Sequence, residues 1–280
     1  MPERPDLEYV VPILRSELDG RKVTAVRVKK PVVLRVAVPG KFEDLVPGKR
    51  FGAVTRRAHF VVFALAPYEL VVAPMLAGRF ALADSGGKGV GDLAVAFELD
   101  DGRELRYRDD VQMGKVYLIE AGAWDVVPGL AKIGIDVLGP AFTRAAFRAL
   151  ARKRRDQAKI FLMDKTALDA MGNAYADEIL FAARIHPKTF VKTLSDKDLD
   201  ELHDAIVDVL GSARATIAER KPALDEKLRD FLKVRGRHGE PCPRCGAKIR
   251  AAGVHGHDAD FCPECQPATR KSGIVDWRKP

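Results

Sequence analysis

Four cysteines near the C-terminal end of the chain have the spacing of a metal site. Cys242 and Cys245 form one C-x-x-C pair, and Cys262 and Cys265 form a second pair after sixteen intervening residues. Each pair places two thiolates on one side of a tight turn, and two such pairs complete the tetrahedral coordination of a structural Zn²⁺ ion. Two disulfides are the alternative, which we rank below zinc because the sequence shows no secretory segment. The spacing therefore predicts one structural zinc ion.

The first residues could supply a nucleophile and a proton-transfer group. Aminopeptidases usually remove a Met that precedes a small residue, and removal of Met1 would expose Pro2 as a secondary amine. An α-amino group has a pKa near 8, so much more of it than of a lysine is unprotonated at neutral pH. This amine could attack an aldehydic sugar carbon, and the Glu3 carboxylate could move protons beside it. A disordered terminus for Pro2 and a helix N-terminal charge for Glu3 are the alternatives.

The composition favours a polyanionic partner. Lys and Arg total 47 against 39 Asp and Glu, which gives a net charge of +8 at pH 7. Such an excess suits a protein that follows phosphates, although a basic surface that only confers solubility is the alternative. The apolar runs at Val61–Ala66 and Leu70–Ala73 have the length of strands, not of membrane spans. We expect a reducing, cytoplasmic location near the nucleoid, where the thiols remain available for zinc.

The elements that must position these residues change in type along the chain. Apolar residues repeat at helical spacing between Leu7 and Leu18, and Asp19-Gly20 ends that segment. Short apolar runs separated by turns such as Pro39-Gly40 and Ser85-Gly86-Gly87 then predict a β-sandwich or barrel. The predicted strands are Val23–Val28, Val32–Val38, Phe60–Leu65, Leu70–Ala73, Phe80–Leu82, Leu93–Leu99, Glu104–Tyr107 and Val116–Ile119.

From about Thr143 the apolar period becomes helical. Ser195 and Asp198 have the spacing of a helix N-cap with an acidic third position. The basic run from Lys233 to His238 leads into the cysteine module. The predicted helices are Ala145–Ala151, Ala158–Met163, Ala174–Ala183, Leu199–Ile217 and Leu224–Phe231.

Three separated motifs together resemble one family. They are PERPDLE at residues 2–8, GNAYADEIL at 172–180 followed by Ile185-His186-Pro187, and the segment from Gly239 to Gln266 that contains the four cysteines. In this order they are similar to the formamidopyrimidine-DNA glycosylase and endonuclease VIII family. The resemblance implies an α+β multidomain fold. Its expected parts are an N-terminal catalytic β-sandwich at 1–138, a helix–two-turn–helix DNA-binding domain at 139–236, a zinc finger at 237–270 and a basic tail at 271–280.

The resemblance also implies an activity. A member of this family would be a monomeric base-excision DNA glycosylase with AP lyase activity on damaged double-stranded DNA. Pro2 would form the Schiff base, and Glu3 would transfer protons. Two alternatives stay open: an AP lyase that has lost base release, and a non-enzymatic protein that binds damaged DNA. A zinc-ribbon RNA-binding protein would explain the charge but not the Pro2-Glu3 pair.

Four residues correspond to family positions that hold DNA phosphates. Asn173 and Lys159 match the family residues, with an ordinary N-cap and a solvated lysine as alternatives. His59 stands where the family normally has a lysine, and His257 stands where it normally has an arginine. Because an imidazole has an unperturbed pKa near 6.5, we expect phosphate affinity at these two positions to be stronger at pH 6 than at pH 8.

Two loops resemble those that the family inserts into the gap left by a flipped base. Pro74-Met75-Leu76-Ala77-Gly78 places Leu76 or Met75 at one tip, and Val111-Gln112-Met113-Gly114 offers Met113. Core packing of Leu76 and Met113 is the alternative. Val111 replaces an arginine of the family, which leaves recognition of the opposite base open.

The segment from Arg220 to Arg237 bears on the choice of lesion. Its residues read as one short helix and a linker, which leaves little room for the long capping loop of family members that excise 8-oxoguanine. We therefore expect oxidised pyrimidines, ring-opened bases or bulky lesions as substrates, in preference to 8-oxoguanine.

Overall fold

The computed structural model describes residues 2–86, 91–169 and 171–268. Met1, Gly87 of the predicted turn, the last two residues of the predicted zinc finger and the basic tail at 271–280 lie outside these ranges. The chain forms two compact units. The first contains residues up to 132 together with 214–228, and the second contains 133–213 together with the residues from 229 onwards.

The first unit opens with helix α1 (Arg4–Leu18), as the apolar spacing predicts. The helix begins with a reciprocal capping box: the Glu3 side chain accepts from the Asp6 backbone, and the Glu3 N–H donates to Asp6 Oδ2 at 2.7 Å. Gly20, with a φ of 71°, follows its end in a conformation that favours glycine. One face of α1 joins the core of the first unit through Leu7, Val10, Val11, Leu14 and Leu18.

Two sheets follow α1. Their strands are β1 (Val23–Val28), β2 (Leu34–Val36), β3 (Val54–Arg57), β4 (Phe60–Leu65), β5 (Tyr68–Ala73), β6 (Arg79–Asp84), β7 (Leu93–Leu99), β8 (Arg103–Arg108) and β9 (Lys115–Glu120), with a one-turn helix α2 (Phe42–Leu45) between β2 and β3. One sheet has the order β1-β7-β8-β6 and the other the order β2-β9-β5-β4-β3. All pairs are antiparallel except β2 with β9.

The two sheets share one core, which confirms the predicted β-sandwich. Phe63 of β4 and Phe80 of β6 have ring centroids 5.7 Å apart, although the two strands belong to different sheets. Phe51 packs against both Phe63 and Phe97 of β7. Burial of such large apolar side chains between two sheets is the main force that stabilises a sandwich.

The second unit is helical, as predicted. Its helices are α3 (Arg144–Arg152), α4 (Ala158–Met163), α5 (Asn173–Ala182) and α6 (Asp196–Arg220), whose residues from Arg214 onwards belong to the first unit. The predicted cap of α6 is present, because Ser195 Oγ accepts from the Asp198 N–H while Asp198 Oδ2 accepts from the Ser195 N–H. The helices surround a core that includes Phe147, Phe161, Tyr175, Leu202 and Ile206.

A small zinc-finger module completes the second unit. Strands β10 (Arg250–Val254) and β11 (His257–Phe261) form an antiparallel hairpin between the two cysteine pairs. Cys242 and Cys262 share a small apolar cluster with Phe181 of α5, Val234 and Ile249. The module is therefore fixed to α5 by packing.

Two predicted elements are wrong or shorter than expected. Residues 224–231 do not form a helix: only isolated turns occur there, and Asp225 pairs with Arg108 of β8. Leu224 packs on the core of the first unit, whereas Leu232 belongs to the core of the second, so the apolar pattern reflects burial at two places and not one helical face. The predicted strand Val32–Val38 is reduced to β2, because Pro31–Val33 form a 3₁₀ turn.

Among the residues that the structure describes, no helix is both long and apolar enough to cross a membrane.

Candidate active site and zinc centre

The four cysteine sulfur atoms lie within 4.8 Å of one another. Cys242 Sγ is 3.9 Å from Cys265 Sγ, and Cys245 Sγ is 3.5 Å from Cys262 Sγ. These separations are too long for S–S bonds of about 2.05 Å, so the disulfide alternative is wrong. They match the roughly 3.8 Å between thiolates that each lie about 2.3 Å from a tetrahedral zinc ion.

The electrostatics of the cluster also favour a cation. Burial opposes ionisation of Cys242, but backbone N–H groups of Arg244 and Cys245 lower the pKa of its thiol to about 7. Burial and the other thiols raise the pKa of Cys265 to about 12. Four thiolates can therefore coexist here only with a divalent cation among them, and the site fits one structural Zn²⁺ ion.

The Pro2-Glu3 pair lies at the start of α1. Pro2 is buried, and Glu3 is 4% exposed. The capping box with Asp6 holds the Glu3 side chain at the helix backbone, and Glu3 directly follows the residue that would carry the terminal amine. A buried carboxylate adjacent to an amine can do proton-transfer chemistry, and it also stabilises the helix.

His59 occupies the turn between β3 and β4. Ala58 has a φ of 52°, and Arg56 Nη1 donates to the Ala58 carbonyl at 2.6 Å, which fixes this turn. The imidazole of His59 packs against the ring of Phe60 at a tilt of 38°, with centroids 4.1 Å apart, and the residue is 8% exposed. The residue is thus nearly covered by its surroundings, which include the ring of Phe60.

Leu76 and Met113 lie on neighbouring loops of the first unit. Ala73 at the end of β5 pairs with Lys115 at the start of β9, and Arg79 of β6 pairs with Arg108 of β8, so the 74–78 and 109–114 loops leave adjacent strand ends. Leu76 and Met113 are 57% and 47% exposed. Neither side chain belongs to the core, so the core-packing alternative is wrong.

Asp109 shapes the loop that carries Met113. Its carboxylate is buried and accepts from the N–H groups of Gln112 at 2.9 Å and Gly114 at 2.7 Å. Gln112 has a φ of 59°, which is costly for a residue with a side chain. Burial, and then the Asp109 carboxylate, raises the pKa of Tyr107 well above its ordinary value, so this hydroxyl is a neutral donor to Asp109.

Asn173 and Lys159 lie in the second unit beside the zinc finger. Asn173 is the first residue of α5, and its Nδ2 donates to Asp258 Oδ1 at 2.8 Å. Lys159 of α4 is completely buried; its Nζ donates to Asp177 Oδ1 at 2.5 Å and to the Asp258 carbonyl at 2.6 Å. The solvated-lysine alternative is therefore wrong, because Lys159 is completely buried and its ammonium donates to two groups of the protein.

The Lys159–Asp177 pair anchors a wider charged cluster. Burial raises the pKa of Asp177 to about 6 and lowers that of Lys159, while their mutual attraction opposes both shifts. Arg235 reaches the same cluster: its Nη1 lies 3.1 Å from Asp177 Oδ2, and its Nη2 lies 2.6 Å from Asp258 Oδ2. Glu178 fixes this arginine by accepting its backbone N–H at 2.9 Å.

His257 is the first residue of β11 and is exposed. It precedes Asp258 directly in β11, and it pairs with Val254 of β10. Its exposure leaves it accessible to a ligand.

Comparisons with known proteins agree over nearly the whole chain. Residues 1–116 match the model of the formamidopyrimidine-DNA glycosylase N-terminal domain, 133–220 match its H2TH domain, and 239–268 match the zinc finger found in FPG and IleRS. The formamidopyrimidine-DNA glycosylase of Pelotomaculum thermopropionicum is 32% identical over 95% of this chain and 99% of its own length. The chain belongs to the formamidopyrimidine-DNA glycosylase family. It is accordingly a base-excision repair enzyme, a DNA N-glycosylase with AP lyase activity, that carries one structural zinc ion.

Solved structures support the same assignment. The Lactococcus lactis Fpg in complex with DNA containing an abasic site has a TM-score of 0.84 and 27% identity, and the match covers 95% of this chain and all of that one. The Thermus thermophilus MutM (Fpg) protein has a TM-score of 0.83 and 28% identity over 96% of this chain and all of that one. This formamidopyrimidine-DNA glycosylase family member therefore has DNA as its partner.

Several residues of the site escaped the sequence analysis of this glycosylase. These residues make the polar contacts of the two regions described above: Asp109, Tyr107, Arg235, Asp177 and Asp258. Asp109 had a detectable signal, since an acidic residue directly after a strand and five residues before a glycine can cap a loop. The other four are brought together only by tertiary structure, and no local pattern marks them.

Proposed function

We propose that this glycosylase excises damaged bases from double-stranded DNA and cleaves the abasic product through a Schiff base on Pro2. The observation that carries the proposal is the Pro2-Glu3 pair, in which the capping box of α1 holds a carboxylate beside the N-terminal residue. Removal of Met1 is part of the proposal, because an acylated Pro2 nitrogen has no nucleophilic lone pair.

The proposed reaction needs only these two residues for its covalent steps. The Pro2 nitrogen attacks the deoxyribose C1′, the bond from C1′ to the base breaks, and the amine proton passes to Glu3; the C1′–O4′ bond then breaks, which leaves an iminium ion that keeps the sugar bonded to Pro2. Glu3 protonates the ring oxygen as the sugar opens. The iminium ion then accepts the electron pair released when the C2′ proton is removed, and the 3′ phosphate is expelled.

The 74–78 and 109–114 loops are proposed to fill the gap left by the flipped base. Leu76 and Met113 present apolar side chains of the kind that wedge between base steps. Val111 is also half exposed, so both loop tips are apolar. Each loop is also held by a hydrogen bond to its backbone. Asp109 accepts from the Gly114 N–H, and Lys227 Nζ donates to the Leu76 carbonyl.

For the second unit we propose that Asn173 and His257 contact phosphate. His59 and Lys159 are each more than nine-tenths buried, so we assign them supporting roles in their turn and in the charged cluster. The pH dependence predicted for the two histidines is then carried by His257.

We further propose that oxidised pyrimidines, ring-opened bases or bulky lesions are preferred over 8-oxoguanine. The segment after α6 is irregular, but it is tethered at three points within the first unit. Tyr9 donates to the Pro222 carbonyl at 3.0 Å, Arg108 pairs with Asp225, and Lys227 donates to the Leu76 carbonyl. A segment held in this way is poorly suited to close over a base.

We propose a monomer that acts near the nucleoid. Only six large apolar residues are exposed within the described ranges, and three of them lie on the 74–78 and 109–114 loops. This leaves little apolar surface for a stable second copy.

The experiment is a base-release assay on duplexes that contain one lesion each: 5-hydroxycytosine, a formamidopyrimidine or 8-oxoguanine. We expect free base from the first two at rates at least tenfold above the third, and loss of release in Glu3→Gln. Release from none of them, with cleavage of an abasic duplex intact, would select the AP lyase without glycosylase activity. Equal release of 8-oxoguanine would refute the lesion preference, and activity unchanged by Glu3→Gln would refute the role of Glu3.

A further inference from the structure

The Asp258 carboxylate binds two side chains of the second unit that could otherwise bind a phosphate, Asn173 and Arg235. Its Oδ1 accepts from Asn173 Nδ2 at 2.8 Å, and its Oδ2 lies 2.6 Å from Arg235 Nη2. A carboxylate and a phosphate present the same kind of acceptor oxygens to an amide and a guanidinium. The Asn173 donor proposed to bind DNA is therefore already bound to an anion of the protein.

The charge balance around Arg235 is unfavourable for a second anion. Two cations, Lys159 and Arg235, face three carboxylates: Asp177, Asp258 and Asp260, whose Oδ2 lies 3.8 Å from Arg235 Nη1. Asp177 is almost completely buried against Lys159, so its carboxylate has a structural role in this unit. The side chain of Asp258 is 68% exposed, so among the three carboxylates it is the one that solvent and a ligand can reach most readily.

We propose that Asp258 is a positioning residue that holds Asn173 and Arg235 in place and is displaced from both by a DNA phosphate. In the free protein the Asp258 carboxylate stands in for the phosphate, so the two donors keep their orientation. On binding, Arg235 and Asn173 transfer to the phosphate, and the Asp258 side chain turns into solvent. The inference rests on the proposed function, since it assumes that Asn173 contacts DNA.

The backbone around Asp258 is held independently of its carboxylate. Lys159 Nζ donates to the Asp258 carbonyl at 2.6 Å, and the Asp260 N–H donates to Asp177 Oδ2 at 3.1 Å. Within β11, residue 258 pairs with Gly253 of β10. The side chain can therefore leave without movement of the strand, and a solvent-exposed ion pair opposes its departure only weakly.

Exchange of a carboxylate for a phosphate has a specific salt signature. Each phosphate that gains a cationic contact makes the slope of log Kobs against log salt concentration more negative by about 0.9. In the wild type, Arg235 gains a phosphate but Asp258 loses its cation, and the displaced carboxylate recruits a counterion. In a variant that lacks this carboxylate no such counterion is recruited, so more counterions are released on binding than in the wild type.

The test compares Asp258→Asn, Asp258→Glu and Asp204→Asn with the wild type. Binding to a duplex with a tetrahydrofuran abasic analogue is measured by fluorescence anisotropy between about 50 and 300 mM KCl, with zinc content and unfolding midpoints as controls. Asp258→Asn keeps the size of the side chain and removes its charge. Asp204→Asn removes the same charge from an ion pair between Asp204 of α6 and Arg144 of α3, and it is the matched control.

We expect Asp258→Asn to bind the duplex about twofold to fivefold more tightly, in line with the small energy of an exposed ion pair, with a slope steeper by about 0.9. Asp258→Glu should stay close to the wild type in slope. Asp204→Asn should not reproduce the change in slope. In Asp258→Asn combined with Arg235→Gln, the gain in affinity should disappear, because the released guanidinium is absent.

An unchanged or weakened affinity of Asp258→Asn, with wild-type zinc content and unfolding midpoint, would overturn the inference and leave Asp258 as a fixed structural support. An equal steepening in Asp204→Asn would also overturn it, since the effect would then be general electrostatics. Failure of the proposed function is distinguishable, because in that case the wild type itself would neither bind the abasic duplex in preference to intact duplex nor cleave it.

Discussion

At the scale of single residues, His186 shows how burial sets a protonation state. Its ring packs edge-on against Phe261, and its Nδ1 accepts the Lys188 N–H at 3.1 Å, which requires the neutral imidazole. Burial, and then the Lys188 charge, lowers the pKa of His186 to about 4 from 6.5. The residue is therefore neutral at physiological pH and acts as a structural acceptor.

The shift predicts a loss of stability in acid. Because the folded pKa lies below the unfolded value, the unfolded chain binds the proton first, so stability falls as the pH drops from about 6.5 to about 4. The loss amounts to at most about 3 kcal/mol. His186→Asn keeps an acceptor but cannot be protonated, so its urea midpoint should fall less between pH 7 and pH 4.5 than that of the wild type. Parallel pH profiles of the two proteins would contradict this account.

Gly114 has no room for a side chain. A Cβ there would lie 1.8 Å from the Tyr107 hydroxyl oxygen and 2.8 Å from Asp109 Oδ2. Gly114→Ala should therefore destabilise the protein by about 1–3 kcal/mol through overpacking, visible as a lower urea midpoint. Gly211→Ala in α6, where a Cβ meets nothing within 4 Å, is the control and should be neutral or stabilising. A Gly114→Ala midpoint equal to the wild type would refute the packing of this loop.

At the scale of elements, the two apolar loops should act on binding and not on folding. Leu76→Ala and Met113→Ala each remove a side chain about half exposed in the free protein, so the unfolding midpoint should shift by less than about 0.5 kcal/mol. Affinity for the abasic duplex should fall about fivefold for each, the equivalent of roughly 1 kcal/mol.

Val126→Ala supplies the control for both loop variants. Val126 is also 47% exposed, but it lies in a 3₁₀ turn (Trp124–Val126) away from the two loops along the chain. It should leave affinity unchanged. An equal loss in Val126→Ala, or no loss in either loop variant, would show that the loops do not enter the duplex.

Strands and helices with a continuous apolar signal were predictable from the sequence. The bounds of β1, β4, β7 and α4 agree with the prediction, because apolar residues predominate in each of them. Strand β3 was missed, because three of its four residues are Thr and Arg. It is a strand because its backbone pairs with that of β4. The segment from Leu224 had a helical pattern, but its apolar residues are buried in separate cores.

The candidate site likewise contains some features that could be predicted from the sequence and others that could not. The cysteine pairs are a local pattern whose spacing predicts zinc, whereas the chemistry of Pro2 and Glu3 was implied by the family resemblance and stays a prediction. The contact of Asn173 with Asp258 joins residues 85 positions apart, so nothing in either neighbourhood predicts it. Lys159 appeared to be a surface cation because lysine rarely lies in a core, and only its partner Asp177 makes full burial possible.

At the scale of the whole molecule, zinc should link folding of the finger to DNA binding. The finger has a small apolar cluster, and its β11 carries both His257 and Asp258. We expect one zinc ion per chain by elemental analysis. Cys245→Ser should lose the metal and most of the affinity for the abasic duplex, because the small apolar cluster that the finger shares with α5 does not replace the metal in ordering the thiol turns.

Cys245→His is the matched control for the zinc prediction. It retains a ligand that zinc accepts, and Cys245 is exposed enough to admit a larger side chain. It should keep both metal and binding. A zinc-free protein that binds the duplex as tightly as the wild type would contradict the coupling.

The central claim is that the Pro2 amine attacks the sugar, and borohydride trapping tests it most directly. Wild-type protein shown by mass to lack Met1 is incubated with a duplex containing one abasic site, and borohydride is added. We predict a covalent protein–DNA band whose adduct maps to Pro2, its loss in Pro2→Gly, and binding of the duplex by that variant. No band from a protein that has a free Pro2 and binds the duplex, or an adduct on another residue, would contradict the account.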